Sequence, residues 1–162
     1  MLINQTLLSE VKQWRQHIHS QPELGFKEFK TSSFIVDKLK SFGIEVHQGL
    51  GGTGVVGILK NGSGPTIGIR ADIDALPIKE QNDIEHKSTH ENCMHACGHD
   101  GHTSVLLGTA KYLSQHKNFS GTIYFIFQPA EEVLGGAKAM IDDGLFDKFP
   151  MDAVYGLHNW PG

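Results

Sequence analysis

Apolar residues recur at helical spacing early in the chain, then switch to short strand-like runs. Leu7, Leu8, Val11, Trp14 and Ile18 fall on one face of a first helix, which Ser20-Gln21-Pro22 ends. A second helix is predicted from about Glu28 to Phe42, with Phe34, Ile35 and Leu39 inward and Gly43 as the stop. The period then shortens. Gly54-Val55-Val56-Gly57-Ile58-Leu59 and Thr66-Ile67-Gly68-Ile69-Arg70 are apolar runs separated by Asn61-Gly62-Ser63-Gly64-Pro65, a pattern that predicts a hairpin.

Further along, a helix is expected from about Gly101 to Gln115 with Val105, Leu106, Ala110 and Leu113 buried. Gly121 to Phe127 is continuously apolar and of strand length, which predicts an interior strand. A short helix follows around Gly136 to Asp142, ending at Gly144, and Ala153 to Leu157 reads as a last interior strand. Helices alternating with buried strands argue for an α/β layer fold with a mixed, largely parallel central sheet flanked by helices. The glycine-rich stretch Gly49 to Gly54 precedes a strand and opens no helix, so it reads as a loop leading into a strand and not as a phosphate-binding motif.

Composition narrows the function classes. The 162 residues are 39% hydrophobic and 20% charged, in the range of a folded domain with a real core. A formal net charge of -4 gives no basic field for nucleic acid or an anionic membrane. No apolar run approaches the ~20 residues that cross a bilayer, and the first residues lack the pattern of a signal peptide, so a cytoplasmic location is expected. Cys93 and Cys97 alone make no disulfide framework. Four of the ten histidines (His90, His95, His99 and His102) fall within thirteen residues, beside a cysteine and several acids, and this raises the prospect of a metal site.

The polar groups that matter accumulate where apolar strands end, which is where sites lie in open α/β sheets. One strand runs into Asp72 and Asp74, a second into Glu131 and Glu132, a third into His158, while Cys97 and His99 stand just before a helix. Taken singly, each has a bland reading: a turn cap, a solvated acid pair, a satisfied histidine, a structural zinc knot. Together they deliver thiolate, imidazole and carboxylate to one sheet edge. Adjacent carboxylates repel unless a cation or a proton lies between them. Such a mixed donor set leaves room for water and substrate, unlike the closed cysteine-rich sites of structural zinc. It also offers more donors than one tetrahedral ion needs.

These segments also resemble a known family. Arg70-Ala71-Asp72-Ile73-Asp74-Ala75-Leu76-Pro77-Ile78, Met94-His95-Ala96-Cys97-Gly98-His99-Asp100-Gly101-His102-Thr103, Phe127-Gln128-Pro129-Ala130-Glu131-Glu132 and Gly156-Leu157-His158-Asn159-Trp160-Pro161 are similar to the motifs of the M20 metallopeptidases. The likeness is to the amidohydrolase branch: N-acyl-amino-acid amidohydrolases, hippurate hydrolases, N-acetyldiaminopimelate deacetylases and auxin-conjugate hydrolases. It implies Cys97, His99, Glu132 and His158 as metal ligands and Glu131 as general base. Asp74 is implied as the acid that orients the metal site, with Asp72 its close competitor; His95, Asp100 and His102 are expected to support or pack. Two divalent ions (Mn²⁺, Zn²⁺, Co²⁺ or Ni²⁺) are implied, with hydrolysis of the amide bond of a small N-acyl amino acid by a metal-activated water.

The same resemblance implies that residues 1–162 are the N-terminal part of the catalytic domain. In full-length relatives a lid or dimerisation domain follows, then a C-terminal catalytic segment carrying a further histidine ligand, and a homodimer is among the assemblies this permits. Two expectations follow for the chain: part of an active amidohydrolase, or a metal-binding or interaction module without turnover, with an exposed sheet edge.

Overall fold

In the computed structural model, which describes residues 4–132 and 135–160, helices α1 (Gln5–Ser20) and α2 (Phe29–Ser41) precede strands β1 (Glu45–Leu50), β2 (Gly54–Asn61) and β3 (Thr66–Asp72). Helix α3 (His99–His116), strand β4 (Gly121–Gln128), helices α4 (Gly136–Asp142) and α5 (Leu145–Lys148) and strand β5 (Ala153–Gly156) complete the fold. The five strands form one sheet in the order β1-β2-β4-β3-β5. β2 runs antiparallel to β1 and β4, whereas β3 runs parallel to β4 and β5, so the expected mixed α/β sheet divides evenly between the two pairings.

Alternation along the central strand builds the two sides of the core. Successive side chains point to opposite faces of a strand. Ile123, Phe125 and Phe127 of β4 meet Trp14, Ile35, Leu39, Leu106, Leu107 and Ala110 from α1, α2 and α3. Tyr124 and Ile126 face the other way, onto Met140, Leu145 and Phe149 of the α4–α5 region. Phe125 and Phe127 are fully buried, and each such side chain contributes roughly 1.5–3 kcal/mol over an exposed one.

Several expectations fail here for identifiable reasons. The predicted hairpin of β2 with β3 does not form, because β4 inserts between them and pairs with both. The linker passes the start of β4 instead, where Thr122 N–H donates to the Pro65 carbonyl at 3.0 Å. β1 gave no clear apolar alternation; it is an edge strand exposed over most of its length, and the glycine-rich stretch spans its end and the turn into β2. β5, expected in the interior, lies at the opposite edge, with Val154 and Tyr155 exposed. Leu8 and Val105 are about half exposed, flanking the contact between α1 and α3 instead of lying inside it. Among the described residues, no helix is long and apolar enough to cross a membrane.

Since β3, β4 and β5 are mutually parallel, their carboxyl ends share one edge of the sheet. β2 is antiparallel to β4, so its beginning and the turn before it lie at that edge too.

Candidate metal centre

The carboxyl end of β3 is held by its own polar groups. Asp72 is buried; one carboxylate oxygen accepts from the Arg70 guanidinium at 2.7 Å, the other from His102 Nδ1 at 2.7 Å. Its main-chain carbonyl accepts from the Thr103 hydroxyl at 3.0 Å, which fixes the first turn of α3 against the strand. Arg70 also donates through Nε to Gln128 Oε1 at 2.8 Å and so ties β3 to β4. His102 completes the chain of contacts. Its Nε2 accepts the Asn159 N–H at 3.0 Å, so Nδ1 carries the proton given to Asp72 and both ring nitrogens are occupied.

Asp74 takes a different part. His99, buried at the start of α3, donates its Nδ1–H to Asp74, with the main-chain oxygen at 2.9 Å and Oδ1 at 3.1 Å. That contact fixes the tautomer and turns the Nε2 lone pair toward the sheet edge. The second Asp74 oxygen accepts the Glu132 N–H at 3.1 Å. Hydrogen bonds from His99 and from the Glu132 and Glu131 backbone outweigh the burial of Asp74 and hold its carboxyl below the usual carboxylate range. Gly98, immediately before His99, adopts φ 89°, a left-handed conformation suited to glycine that brings Cys97 round beside its neighbour.

The remaining donors converge on His99 Nε2. His158 Nε2 lies 3.4 Å from it, Glu131 Oε2 3.7 Å and Glu132 Oε1 3.8 Å. Cys97 Sγ is 3.7 Å from His158 Nε2. Ligand atoms of Cys97, His99 and Glu132 all lie within 4.8 Å of one another. A second grouping of Asp72, His99, His102 and His158 meets the same distance, yet Asp72 and His102 already satisfy each other and their outer partners. The structure therefore brings Cys97, His99, Glu131, Glu132 and His158 together at one point, with Asp74 behind His99 and Asp72 one step to the side.

The electrostatics of this point are uncomfortable without a cation. Glu132 Oε1 is buried with no hydrogen-bond partner among the described residues. Burial, then the hydrogen bond and charge of Glu132 and the charges of Glu131 and Asp72, push the Cys97 thiol up to about 12. Burial alone would lower the His99 pKa, but Asp74, Asp72 and Glu132 raise it overall. A divalent ion would reverse these penalties by replacing protons with a charge that every donor can share. The donor set fits such an ion, with an orphaned carboxylate oxygen, an oriented imidazole and a thiol whose thiolate lacks only a positive neighbour.

Several supporting residues carried no signal in the sequence. Gln128 sits inside a recognisable motif but gave no hint of its bond to Arg70. His19 is buried 2.8 Å from Asp100 Oδ2 through Nδ1 and 3.1 Å from Glu80 Oε1 through Nε2, and Arg15 Nε donates to Asp100 at 3.0 Å. Neither His19 nor Glu80 lies in a motif that would mark it; the packing of α1 against α3 sets His19 on Asp100, and the segment between β3 and α3 carries Glu80 to its other side. Both cysteines are free.

Comparison with known proteins gives the family. Residues 68–162 match the profile of peptidase family M20/M25/M40. The chain is 56% identical over 156 residues to a hippurate hydrolase of Campylobacter jejuni, covering 96% of this chain and 40% of that protein. It is 46% identical over 154 residues to an IAA-amino acid hydrolase of Arabidopsis thaliana, covering 92% of this chain and 35% of that protein. Among solved structures, it superposes on a dinuclear metal binding peptidase of Bacillus subtilis with a TM-score of 0.91 at 40% identity, covering 98% of this chain and 45% of that one. The chain thus spans about two fifths of the length of the curated relatives it matches.

Proposed function

The chain belongs to peptidase family M20/M25/M40, and from that premise we propose that it forms part of a metal-dependent amidohydrolase cleaving the amide bond of N-acyl amino acids. The single observation that carries this reading is the convergence of Cys97, His99 and Glu132 within 4.8 Å, with an unpartnered Glu132 oxygen and Glu131 beside it. Cys97, His99, Glu132 and His158 are the residues we assign to hold two divalent ions, from among Mn²⁺, Zn²⁺, Co²⁺ and Ni²⁺. Bound there, such ions lower the pKa of water and polarise an acyl carbonyl.

The chain's own residues supply the rest. Asp74 keeps His99 Nδ1 protonated, so that Nε2 presents its lone pair. The Glu131 side chain is about one-third exposed and so remains open to solvent and substrate. In this reading Glu131 accepts the proton of the attacking water and passes it to the nitrogen of the departing amine. The relatives named for hippurate and for IAA-amino acids motivate the substrate class, a small acyl group on an amino acid. We further assign residues 1–162 to the N-terminal part of the catalytic domain of a cytoplasmic enzyme, with a lid or dimerisation domain in the remainder and a homodimer as its assembly.

The test is hydrolysis of N-benzoylglycine and N-acetyl amino acids by the full-length enzyme, metal supplied, beside its Glu131→Gln variant. A general base contributes roughly 10²–10⁴-fold, so the variant should lose that much in kcat while keeping its metal. Unchanged turnover in a fully metallated variant would remove Glu131 from the role. A second reading is motivated by the length covered: by itself this segment binds metal without turning substrate over. Metal uptake by the isolated segment with no hydrolysis would favour it, whereas turnover by the segment alone would exclude it.

A further inference from the structure

Glu28 stands at the beginning of α2, about a hundred residues before the acid pair, and is completely buried. Its carboxylate does not cap its own helix. One oxygen accepts the Ala130 N–H at 2.9 Å, and the other accepts the Thr53 hydroxyl at 2.6 Å. Thr53 belongs to the turn before β2, which the antiparallel pairing of β2 with β4 places at the same sheet edge. A single side chain thus ties the start of α2, the turn before β2 and the corner after β4.

That corner is unusual. Ala130 has φ 49°, a left-handed backbone that residues bearing a Cβ rarely adopt. Its N–H is committed to Glu28, and its carbonyl accepts the Gly136 N–H at 3.0 Å. A Cβ at Gly136 would lie 1.7 Å from the Pro129 carbonyl oxygen, so the chain can return this closely only with glycine there. Glu131 and Glu132 follow directly. Relaxing Ala130 into the ordinary helical or extended region would rotate the whole acid pair away from His99.

Burying a carboxyl is costly, and the two donors that Glu28 meets are neutral groups. An apolar side chain would fill the space more cheaply but would leave the Ala130 N–H unpaired and remove the strained corner's tie to α2 and to the turn before β2. We propose that Glu28 is a positioning residue, setting the direction of Glu131 by holding Ala130 in its left-handed conformation. This rests on the reading of Glu131 as general base.

Three variants of the full-length enzyme test it. Glu28→Gln keeps a carbonyl acceptor for Ala130, and the Thr53 hydroxyl can turn to accept from the amide. Glu28→Asp keeps the carboxyl but is one methylene short, and Glu28→Ala removes both acceptors. A misplacement of about 1 Å can cost about a hundredfold in rate. The Asp and Ala variants should therefore lose kcat by roughly tenfold or more at saturating metal, with KM within about twofold. The Gln variant should stay within about twofold of wild type in kcat. Amide exchange across 130–132, measured without substrate, should accelerate in the Asp and Ala variants and not in Gln. Wild-type exchange and kcat in the Asp variant would overturn the proposal, as would a Gln variant as impaired as Ala. If the Ala variant does not fold, the Gln and Asp pair decides. Failure of the general-base reading would show instead as undiminished turnover in Glu131→Gln, whatever the exchange at Ala130.

Discussion

Two clusters of imidazole and carboxylate flank the first turn of α3, built from the same residue types and opposite in character. On the inner side, Asp100 accepts from His19 and Arg15, and His19 reaches Glu80 through its other nitrogen. Both ring nitrogens of His19 face carboxylates, an arrangement that favours the doubly protonated ring. Arg15 pairs with Asp100 there, although Asp100 Oδ1 is buried with no hydrogen-bond partner among the described residues. On the sheet-edge side, Cys97, Glu131, Glu132 and His158 gather around His99 with no lysine or arginine paired to them among the described residues and with a Glu132 oxygen left unpartnered. Histidine and carboxylate occur in both clusters; an arginine paired to the buried acid marks the inner one. His95 marks the border between them. Its buried ring nitrogens have no partner among the described residues, and burial lowers its pKa to about 4, so it packs as a neutral ring.

The strongest way to break this comparison is at His19. Removing one partner of a buried, matched ion network leaves uncompensated charge and costs about 3–5 kcal/mol. His19→Ala should therefore destabilise the protein by that order in a urea titration, with or without metal, and a loss below about 1 kcal/mol would mean the network is not carrying the start of α3.

The next effect belongs to the other cluster. A divalent ion present at a hundred times its dissociation constant should stabilise the folded protein by about 2.7 kcal/mol. Glu132→Gln should lose most of this metal-dependent gain. An equal gain in the variant would place the ion elsewhere.

A smaller effect concerns pH. The hydrogen bond to Asp100 raises the His19 pKa, opposed by burial and assisted by Glu80. A raised imidazole pKa stabilises fully below the unfolded value of 6.5, and the contribution is lost as pH rises through the higher folded value. Asp100 runs the other way. Burial alone would raise its carboxyl, but the hydrogen bond from His19 and the charge of Arg15 hold it low, so its contribution is present above 3.8 and lost as pH falls through the folded value. Chemical denaturation of the metal-loaded protein across pH should show a decline on the alkaline side that flattens in His19→Gln. An unaltered profile in that variant would detach His19 from the effect.

The strand-end chemistry was legible because it follows from local pattern. An apolar run that stops at Asp72, at Glu131 or at His158 announces a sheet edge without any knowledge of strand order. Strand order itself was not legible. Nothing local in Gly54–Asn61 or Thr66–Asp72 reports that β4 will pair with both, since that choice is made by a strand apolar on both faces and fifty residues further on. Glu28, His19 and Glu80 were hidden for the same reason. Each is an ordinary polar residue in its own segment, and its role comes only from what tertiary packing sets against it. Asp72 and Asp74, equal contenders by sequence, are separated by two residues of backbone and by their partners: Arg70 and His102 for one, His99 for the other.

The account turns on the donors around His99 forming a metal centre, and a cobalt titration of the full-length, metal-stripped enzyme tests this most directly. Thiolate ligation by Cys97 predicts a near-ultraviolet sulfur-to-cobalt charge-transfer band that grows to a stoichiometric end point and is absent in Cys97→Ser. No such band in the wild type, or a band that persists in Cys97→Ser, would contradict it.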